Sequence, residues 1–569
     1  MSNQEIANLF YQLANLLEIK GENPFKIRAY KNAARFIETF PTSLEDMVNQ
    51  NQDLTKLPYI GKEIAAKIEE IIKTRKLSKL EEVKKEIPES LIKLLSIEGL
   101  GPKKLGTLYK ELNITNEEEL KKAAKEHKIS QLKGFGKKLE EKILNGLKLL
   151  KQEGFRFKYA QVEPIAKELV EYLKKSSLVL DVKVAGSFRR RKETIGDLDI
   201  LCVSNSSKVV EYFTSFSKIK SVVSAGVSKA SVVLQNDLQV DLRVIEKSSF
   251  GAALHYFTGS KAHVVKIRDI AIDMGLKVNE YGVFRGEELI ASKNEEDIYK
   301  SLNLAYIEPE LREDRGEIEA AKNGTLPNLV TLNDIKGDLH MHTTYSDGKN
   351  SIKQMADMAK SFGYEYIAIS DHASVMAIVN GLDEKRAIEQ IETIDMLNEE
   401  FKDFYILKSM EVDILEDGSL AMSDEILKRL DFAIAAIHFK FNLPKQEQTK
   451  RLIKAIKNPY IKIVAHPMGR LIGKRKGIEL DFKEIFNVAK SEGVNLEINS
   501  QPSRLDLNDI LIKEALEFNI KFAISSDAHS VSELNFIKYG LFQARRGWVQ
   551  SKDIVNSLSL SDFKSLIEI

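Results

Sequence analysis

The chain has 569 residues, more than one hydrophobic core organises, so several domains are expected. Its 85 Lys and Arg against 84 Asp and Glu leave a net charge of +1, which excludes the strongly polybasic and polyacidic classes but not local basic patches. No apolar run spans a bilayer, the N-terminus lacks a secretory layout, and the single cysteine, Cys202, rules out an internal disulfide framework; a reducing, cytoplasmic setting is expected.

Residues 1–150 read as helix, with apolar positions at helical spacing in IANLFYQLANLLEI, NAARFIETF and EIAAKIEEIIKTRKLSKLEEV. Three related stretches punctuate them: LPYIGKEIAAKI (57–68), IEGLGPKKLGTLY (97–109) and LKGFGKKLEEKI (132–143). Each has an apolar lead, a glycine-containing turn, nearby lysines and then a helix. Such a turn offers unpaired N–H groups at a helix N-terminus to a backbone phosphate, with lysines adding sequence-independent attraction. Gly61, Gly99, Gly101, Gly134 and Gly136 are therefore the expected phosphate contacts, with Tyr59 in the first copy where a glycine is common.

From about residue 155 the text turns to short β-rich runs: LDVKVAGSF, LDILCVS, KASVVLQ and LQVDLRVI. In GDLDIL, Asp197 and Asp199 alternate with Leu198, Ile200 and Cys202, so both acids share one strand face. Asp241 in VDLRV has the same alternation. Three carboxylates on neighbouring strands make an oxygen-rich cup suited to Mg²⁺, which binds through a few carboxylates plus substrate phosphates. The preceding GSFRRRKET adds a turn at Gly186 and Ser187 able to hold a phosphate, and the guanidinium groups of Arg189–Arg191. A basic glycine turn ahead of paired acids on a strand suggests a nucleotidyltransferase. Helix returns at 261–275, LKVNEYGVFRGEELI suggests a hairpin, and 302–335 reads as a linker with a boundary near 335.

Beyond that boundary, strand-like runs alternate with helices, which implies a parallel sheet or an α/β barrel. Six of the nine histidines lie there, each after or at the end of a β-like run. A lone strand-end histidine is more often a hydrogen-bonded structural residue; six of them with acids at matching depth form a ligand set. His340 and His342 alternate with Leu339 and Met341, Asp527 and His529 repeat that spacing, and Asp347, His372, Glu411, His438 and His466 complete the collection. Mixed imidazole and carboxylate ligation suits Zn²⁺, Mn²⁺ or Fe²⁺. Arg470, Arg475 and Arg504 are candidate phosphate clamps near the barrel mouth.

The motifs GSFRRRKETIGDLD, QVDLR, YFTGS and GLKVNEYGVF resemble, in order, the palm and thumb of family X DNA polymerases, and the resemblance runs from near residue 1 to about 315. It implies that Asp197, Asp199 and Asp241 bind two catalytic Mg²⁺ or Mn²⁺ ions, with Asp241 nearest the primer 3′-hydroxyl. Gly186, Ser187, Arg190 and Gly196 would meet the triphosphate, Tyr256, Phe257 and Gly259 would line the sugar pocket, and Arg268 would lie on the template side. Val264 stands where bacterial relatives usually carry an asparagine that reaches the incoming base. Lys67 matches the Schiff-base lysine of the family's lyase region, with Lys26 and Lys79 as phosphate binders, although a second lysine of that pattern is Glu63 here.

The order H-x-H, D-G, D-H, E, H, H-P, D-x-H over 335–569 resembles the polymerase-and-histidinol-phosphatase (PHP) domain, with all nine ligand positions filled. That implies a distorted TIM-like barrel with up to three Zn²⁺ or Mn²⁺ ions. The expected organisation is α+β and α/β in several domains. A helical lyase-like domain would occupy 1–85, a helix-hairpin-helix subdomain 86–153 and a mixed-sheet nucleotidyltransferase palm 154–260. A thumb would follow at 261–316, a linker at 317–334 and the PHP domain at 335–569. The resemblance implies gap filling in DNA repair from deoxynucleoside triphosphates, coupled to 3′–5′ exonuclease, 3′-phosphatase and, in some relatives, abasic endonuclease activity, in a monomer with no membrane contact. The alternatives are a repair nuclease that keeps its polymerase core as a DNA clamp, and a non-catalytic DNA-binding scaffold.

Overall fold

The computed structural model describes residues 3–40, 44–50, 52–88, 90–95, 97, 100–137, 139–144, 147, 156–373 and 379–567. It forms two compact units, the first built from Met1–Phe155 with Gly473–Arg475 and the second from Arg156–Ile472 and Lys476–Ile569. No helix among the described residues is long and apolar enough to cross a membrane.

The first unit is helical. In the helix Lys62–Thr74 the residues Ile64, Ala65, Ile68, Ile71 and Ile72 fall on one buried stripe. They join Phe10, Leu13, Tyr30, Ile37, Leu105 and Leu120 in one core. The helices Asn3–Lys20 and Pro102–Leu112 approach closely enough that a Cβ on Gly106 would lie 2.5 Å from the carbonyl oxygen of Ile19, so only glycine fits there.

In the second unit a five-stranded sheet comes first, in the order Asp181–Val184, Asp197–Val203, Gln239–Ile245, Lys229–Leu234, Ile219–Ala225. All its pairings are antiparallel except the central one, where Asp197–Val203 runs parallel to Gln239–Ile245. Leu198, Ile200 and Cys202 are fully buried and pack with Leu169 and Phe213 from the helices Tyr159–Lys174 and Lys208–Thr214. The opposite face therefore carries the acids. The expected hairpin is a three-stranded antiparallel sheet, Lys277–Asn279, Gly282–Arg285 and Glu288–Ala291.

The segment 302–335 is no open tether. It contains the helix Glu317–Asn323, buries Ile307, Leu311 and Ile318, and sinks Arg312 and Glu317 completely. Two of its charges are buried in pairs: Arg312 with Glu295 at 2.5 Å and Glu317 with His263 at 2.6 Å.

The C-terminal part alternates strand and helix as expected. Its strands are parallel but fall into two sheets instead of one ring: Gly337–Asp338, Tyr366–Ile369 and Tyr405–Lys408, then His372–Ala373, Glu411–Asp413, Ala433–Ala436, Ile461–Val464, Asn495–Asn499 and Phe522–Ser525. A single parallel bridge, Met341 to Ala528, links the last strand's continuation to that of the first. The breaks at 370–371 and 409–410 are where two strands leave one sheet and enter the other, and no closed barrel forms among the described residues. Most of these strands are buried along their whole length, as parallel strands covered by helices must be.

Candidate metal centres

The first centre lies on the central parallel pair. The register sets Asp199 directly opposite Asp241, and Asp197 opposite Gln239. Gln239 Nε2 donates to Asp241 Oδ2 at 3.0 Å. Burial, then the neighbouring charges of Asp197 and Asp241, push the Asp199 carboxyl up to about 7. Asp197 is exposed and Asp199 and Asp241 are half-buried, so a cation can reach these carboxylates, although the three do not form one of the close-set ligand groups found among the described residues.

Around it the glycine turn is shaped by contact. Gly186 has φ +60°, and a Cβ there would lie 2.0 Å from Asp199 Oδ2. Ser187 Oγ is buried without a hydrogen-bond partner, a donor left for a ligand such as phosphate. A Cβ on Gly196 would lie 2.9 Å from Arg156 Nη1. Tyr256 and Phe257 are half-buried, with ring centroids 5.1 Å apart. A Cβ on Gly259 would meet Val264 Cγ2 and His263 Cδ2 at 2.9 Å, so buried Val264 packs against the Gly259 turn. Arg268 is exposed on the helix Lys261–Asp273.

The three arginines of the turn are all engaged within the protein. Arg189 binds Glu295 (2.5 Å) and Thr258 Oγ1 (2.8 Å). Arg190 donates from Nε to Glu313 (2.9 Å) and from Nη1 to the Thr258 carbonyl (2.8 Å). Arg191 stacks at 4.4 Å over Phe542. Arg243 was missed: two residues beyond Asp241 on the same face, its guanidinium lies 4.4 Å over the Phe257 ring and its Nε has no partner. The alternation that revealed Asp241 extends to it.

The second centre is denser. His342 Nε2 lies 3.2 Å from His340 Nε2 and 3.2 Å from Asp527 Oδ1, forming one group of possible ligands with them. His342, Asp347, His372 and His529 form a second group, and His372, Glu411 and His438 a third. His466 Nε2 approaches Glu411 Oε1 at 2.9 Å. All nine residues named from the sequence thus converge. Burial and the adjacent rings of His372 and His529 hold His342 down to about 3, a neutral imidazole. Against burial, Glu411 and Asp413 lift His438 to about 9, and Asp347 and Asp527 lift His529 to about 9. Opposed imidazole nitrogens sharing carboxylates, with His342 Nδ1 and His466 Nδ1 buried and unpartnered, fit divalent metal.

A supporting shell escaped the sequence reading. Glu497 Oε1 holds His340 Nδ1 at 2.7 Å, and its Oε2 accepts from the His466 amide and from Asn499. Asp413 Oδ1 holds His438 Nδ1 at 2.6 Å. Asp371 accepts from Thr343, Ser346 and Gln390, tying down the loop that carries Asp347. Carboxylates of this kind fix ring orientation and tautomer. The signal was present: Glu497 alternates with Leu496 and Ile498, and Asp413 stands two residues after Glu411.

The remaining candidates divide. Arg504 Nε lies 3.7 Å from Asp527 Oδ2, at the edge of the second centre. Arg470 grips Glu193 at 2.6 Å and 3.1 Å and also binds the Leu505 carbonyl. Lys67 Nζ is 2.7 Å from Glu63, which also accepts from Tyr30 Oη. Lys67 is therefore paired along its own helix face, and a Schiff-base role would require that pair to open. Lys79 pairs with Glu82 in the same manner. Gly61 and Gly101 cap the helices Lys62–Thr74 and Pro102–Leu112 without a side-chain hydrogen bond, and Gly61, Gly101, Gly134 and Gly136 have open space where a Cβ would sit. Tyr59 holds φ +63° beside Gly61 and is exposed. Gly99 lies outside the described residues.

Comparison with known proteins is consistent along the chain. Residues 1–77 match a helix-hairpin-helix domain, 91–149 a SAM-like helix-hairpin-helix tandem, 156–272 the DNA polymerase beta palm, 253–313 the DNA polymerase beta thumb and 338–501 the PHP domain. The DNA polymerase/3′-5′ exonuclease PolX of Bacillus subtilis (strain 168) is 40% identical over 573 residues, covering 100% of both chains. A "Probable phosphatase" of Thermoanaerobacter sp. (strain X514) is 32% identical over 203 residues, 34% of this chain and 78% of its own. One from Caldanaerobacter subterraneus is 30% identical over 203 residues, 34% of this chain and 75% of its own.

Proposed function

The chain belongs to the family X DNA polymerases that carry a PHP domain, and from that premise we propose that it fills short gaps in DNA and trims 3′-ends at a second, separate centre. The observation that carries this reading is the presence of two ligand sets of different chemistry on one chain: aspartates on a strand pair, and imidazoles with carboxylates at strand ends.

At the first centre Asp197, Asp199 and Asp241 would hold Mg²⁺ or Mn²⁺, which supplies hydroxyl activation and charge neutralisation in nucleotidyl transfer. The chain's own residues do the positioning. Ser187 Oγ and the Gly186 turn would receive the triphosphate, Arg190 would offer it the guanidinium that Glu313 and the Thr258 carbonyl hold, and the half-buried Tyr256 and Phe257 would limit the space for the sugar. Asp241, opposite Asp199, would lie nearest the primer 3′-hydroxyl by the resemblance to the family. At the second centre the nine ligands would hold up to three ions of Zn²⁺ or Mn²⁺, while Glu497 and Asp413 keep two ligand rings oriented and Arg504 receives a phosphate oxygen. The uncapped N-termini after Gly61 and Gly101 would hold the DNA backbone. The lone, buried Cys202 suits a reducing, cytoplasmic setting.

The test is a 5′-labelled primer in a one-nucleotide-gapped duplex, incubated with Mn²⁺ and resolved by length with and without deoxynucleotides. Extension by one with nucleotides and shortening without them is the expected result. Shortening in both conditions would replace this reading with a nuclease that retains its palm as a clamp.

A further inference from the structure

Between the palm turn and the PHP half runs a buried chain of alternating charge. Glu313 Oε1 accepts from Arg190 Nε at 2.9 Å and from Arg546 Nη1 at 3.0 Å. The same Arg546 nitrogen donates to the Arg190 carbonyl at 2.7 Å, and Arg546 Nη2 donates to Asp509 at 2.6 Å. Asp509 in turn accepts from Arg315 at 2.9 Å. Arg546 is 3% exposed and sits in the last turn of the helix Ile537–Arg546, far along the chain from the palm. Nothing in the chemistry of either metal centre uses it.

We propose that Arg546 is a positioning residue for nucleotide binding, acting through Glu313 on Arg190. The inference rests on the reading that Arg190 meets the triphosphate. Two of the three Arg190 side-chain nitrogens, Nε and Nη1, are committed to Glu313 and the Thr258 carbonyl. A triphosphate must therefore compete with Glu313 for the guanidinium. Arg546 weakens that competitor by sharing the same carboxylate oxygen, and it pins the backbone of the turn through the Arg190 carbonyl. Without Arg546, Glu313 would have Arg190 as its one close guanidinium, and the turn would lose a buried donor. Without the charge on Glu313, Arg190 would be released to the phosphate. Substitutions at the two positions thus act in opposite directions, whereas simple loss of packing moves both the same way.

The experiment is single-nucleotide gap filling by the full-length protein, with KM for the deoxynucleotide separated from kcat. Arg546→Gln should raise KM about tenfold, the scale of one charge-assisted hydrogen bond, with kcat nearly unchanged. Glu313→Gln should lower KM about threefold, part of one such bond. Arg546→Lys keeps a charge near Glu313 but cannot span all three acceptors, and should fall between wild type and Arg546→Gln. Shortening of 3′-ends without nucleotides, whose ligands Arg546 does not touch, should be unchanged and reports that the variants fold. A rise in KM for both Arg546→Gln and Glu313→Gln would overturn the proposal. So would an unchanged KM in Arg546→Gln when Arg190→Gln raises it. An unchanged KM in Arg190→Gln would instead overturn the reading of Arg190 itself.

Discussion

Asp199 stands directly opposite Asp241 across two parallel strands, with Gly186 so close that no side chain fits between the turn and the Asp199 carboxyl. The metal-free protein therefore holds a proton on Asp199 up to about pH 7, whereas an unfolded aspartate loses it near pH 4. Between those values the native state binds more protons, so this group's contribution to stability falls as pH rises. Asp199→Asn should abolish primer extension, leave 3′-shortening intact, and stabilise chelator-treated protein at pH 8 by about 1–3 kcal/mol, less than the full shift corresponds to because the buried site relaxes. Thermal denaturation in chelator at pH 5 and pH 8 measures the difference, which should be small at the lower pH.

His342 joins two of the ligand groups, and its imidazole is neutral. Alanine at His342 should stop degradation of a labelled 3′-end by about a hundredfold or more while extension of a gapped primer continues, since removing a ligand costs at least as much as removing its supporting partner. Failure of both activities together would show that the two centres are not independent.

His438 and His529 are held protonated by their carboxylate neighbours up to about pH 9 in the absence of metal. Metal ligation requires the free nitrogen, so uptake must expel protons and affinity must rise with pH toward 9. Titration calorimetry of Zn²⁺ or Mn²⁺ into stripped protein at pH 7.5, in buffers of different ionisation enthalpy, should register that release.

Glu497 touches His340, His466 and Asn499 at once. Glu497→Gln should lower metal affinity about 10–100-fold, as loss of an orienting carboxylate does elsewhere. Metal content after dialysis against graded chelator is the measurement, and unchanged retention would assign Glu497 a purely structural role.

Arg470 and Glu193 join the loop after His466 to the palm. Arg470→Ala should destabilise the protein by about 1–3 kcal/mol by leaving the half-buried Glu193 carboxylate with only the amide of Gln543, with KM for DNA in 3′-shortening unchanged. Arg504→Ala should do the reverse: little change in stability and a higher KM.

Much of the molecule is legible in its residues. Period-two alternation places Asp197, Asp199 and Asp241 on one face because a pleated strand sends successive side chains to opposite sides, and hydrophobic Leu198 and Ile200 show which side is core. Alternation also pairs His340 with His342 and Asp527 with His529, and the PHP-like order supplies the rest of the nine candidate ligands, which the strand ends bring together wherever they lie in the chain. What the tertiary structure alone decides is who neutralises whom. An arginine in a basic turn reads as a phosphate binder, yet Arg189, Arg190 and Arg470 each find a carboxylate 106, 123 and 277 residues away. The segment 302–335 reads as a linker, yet its Arg312 and Glu317 are buried in pairs with Glu295 and His263. Alternation is a local property of the backbone and is written along the chain. The pairing of charges depends on which distant groups share a low-dielectric space, and only the folded arrangement creates that space.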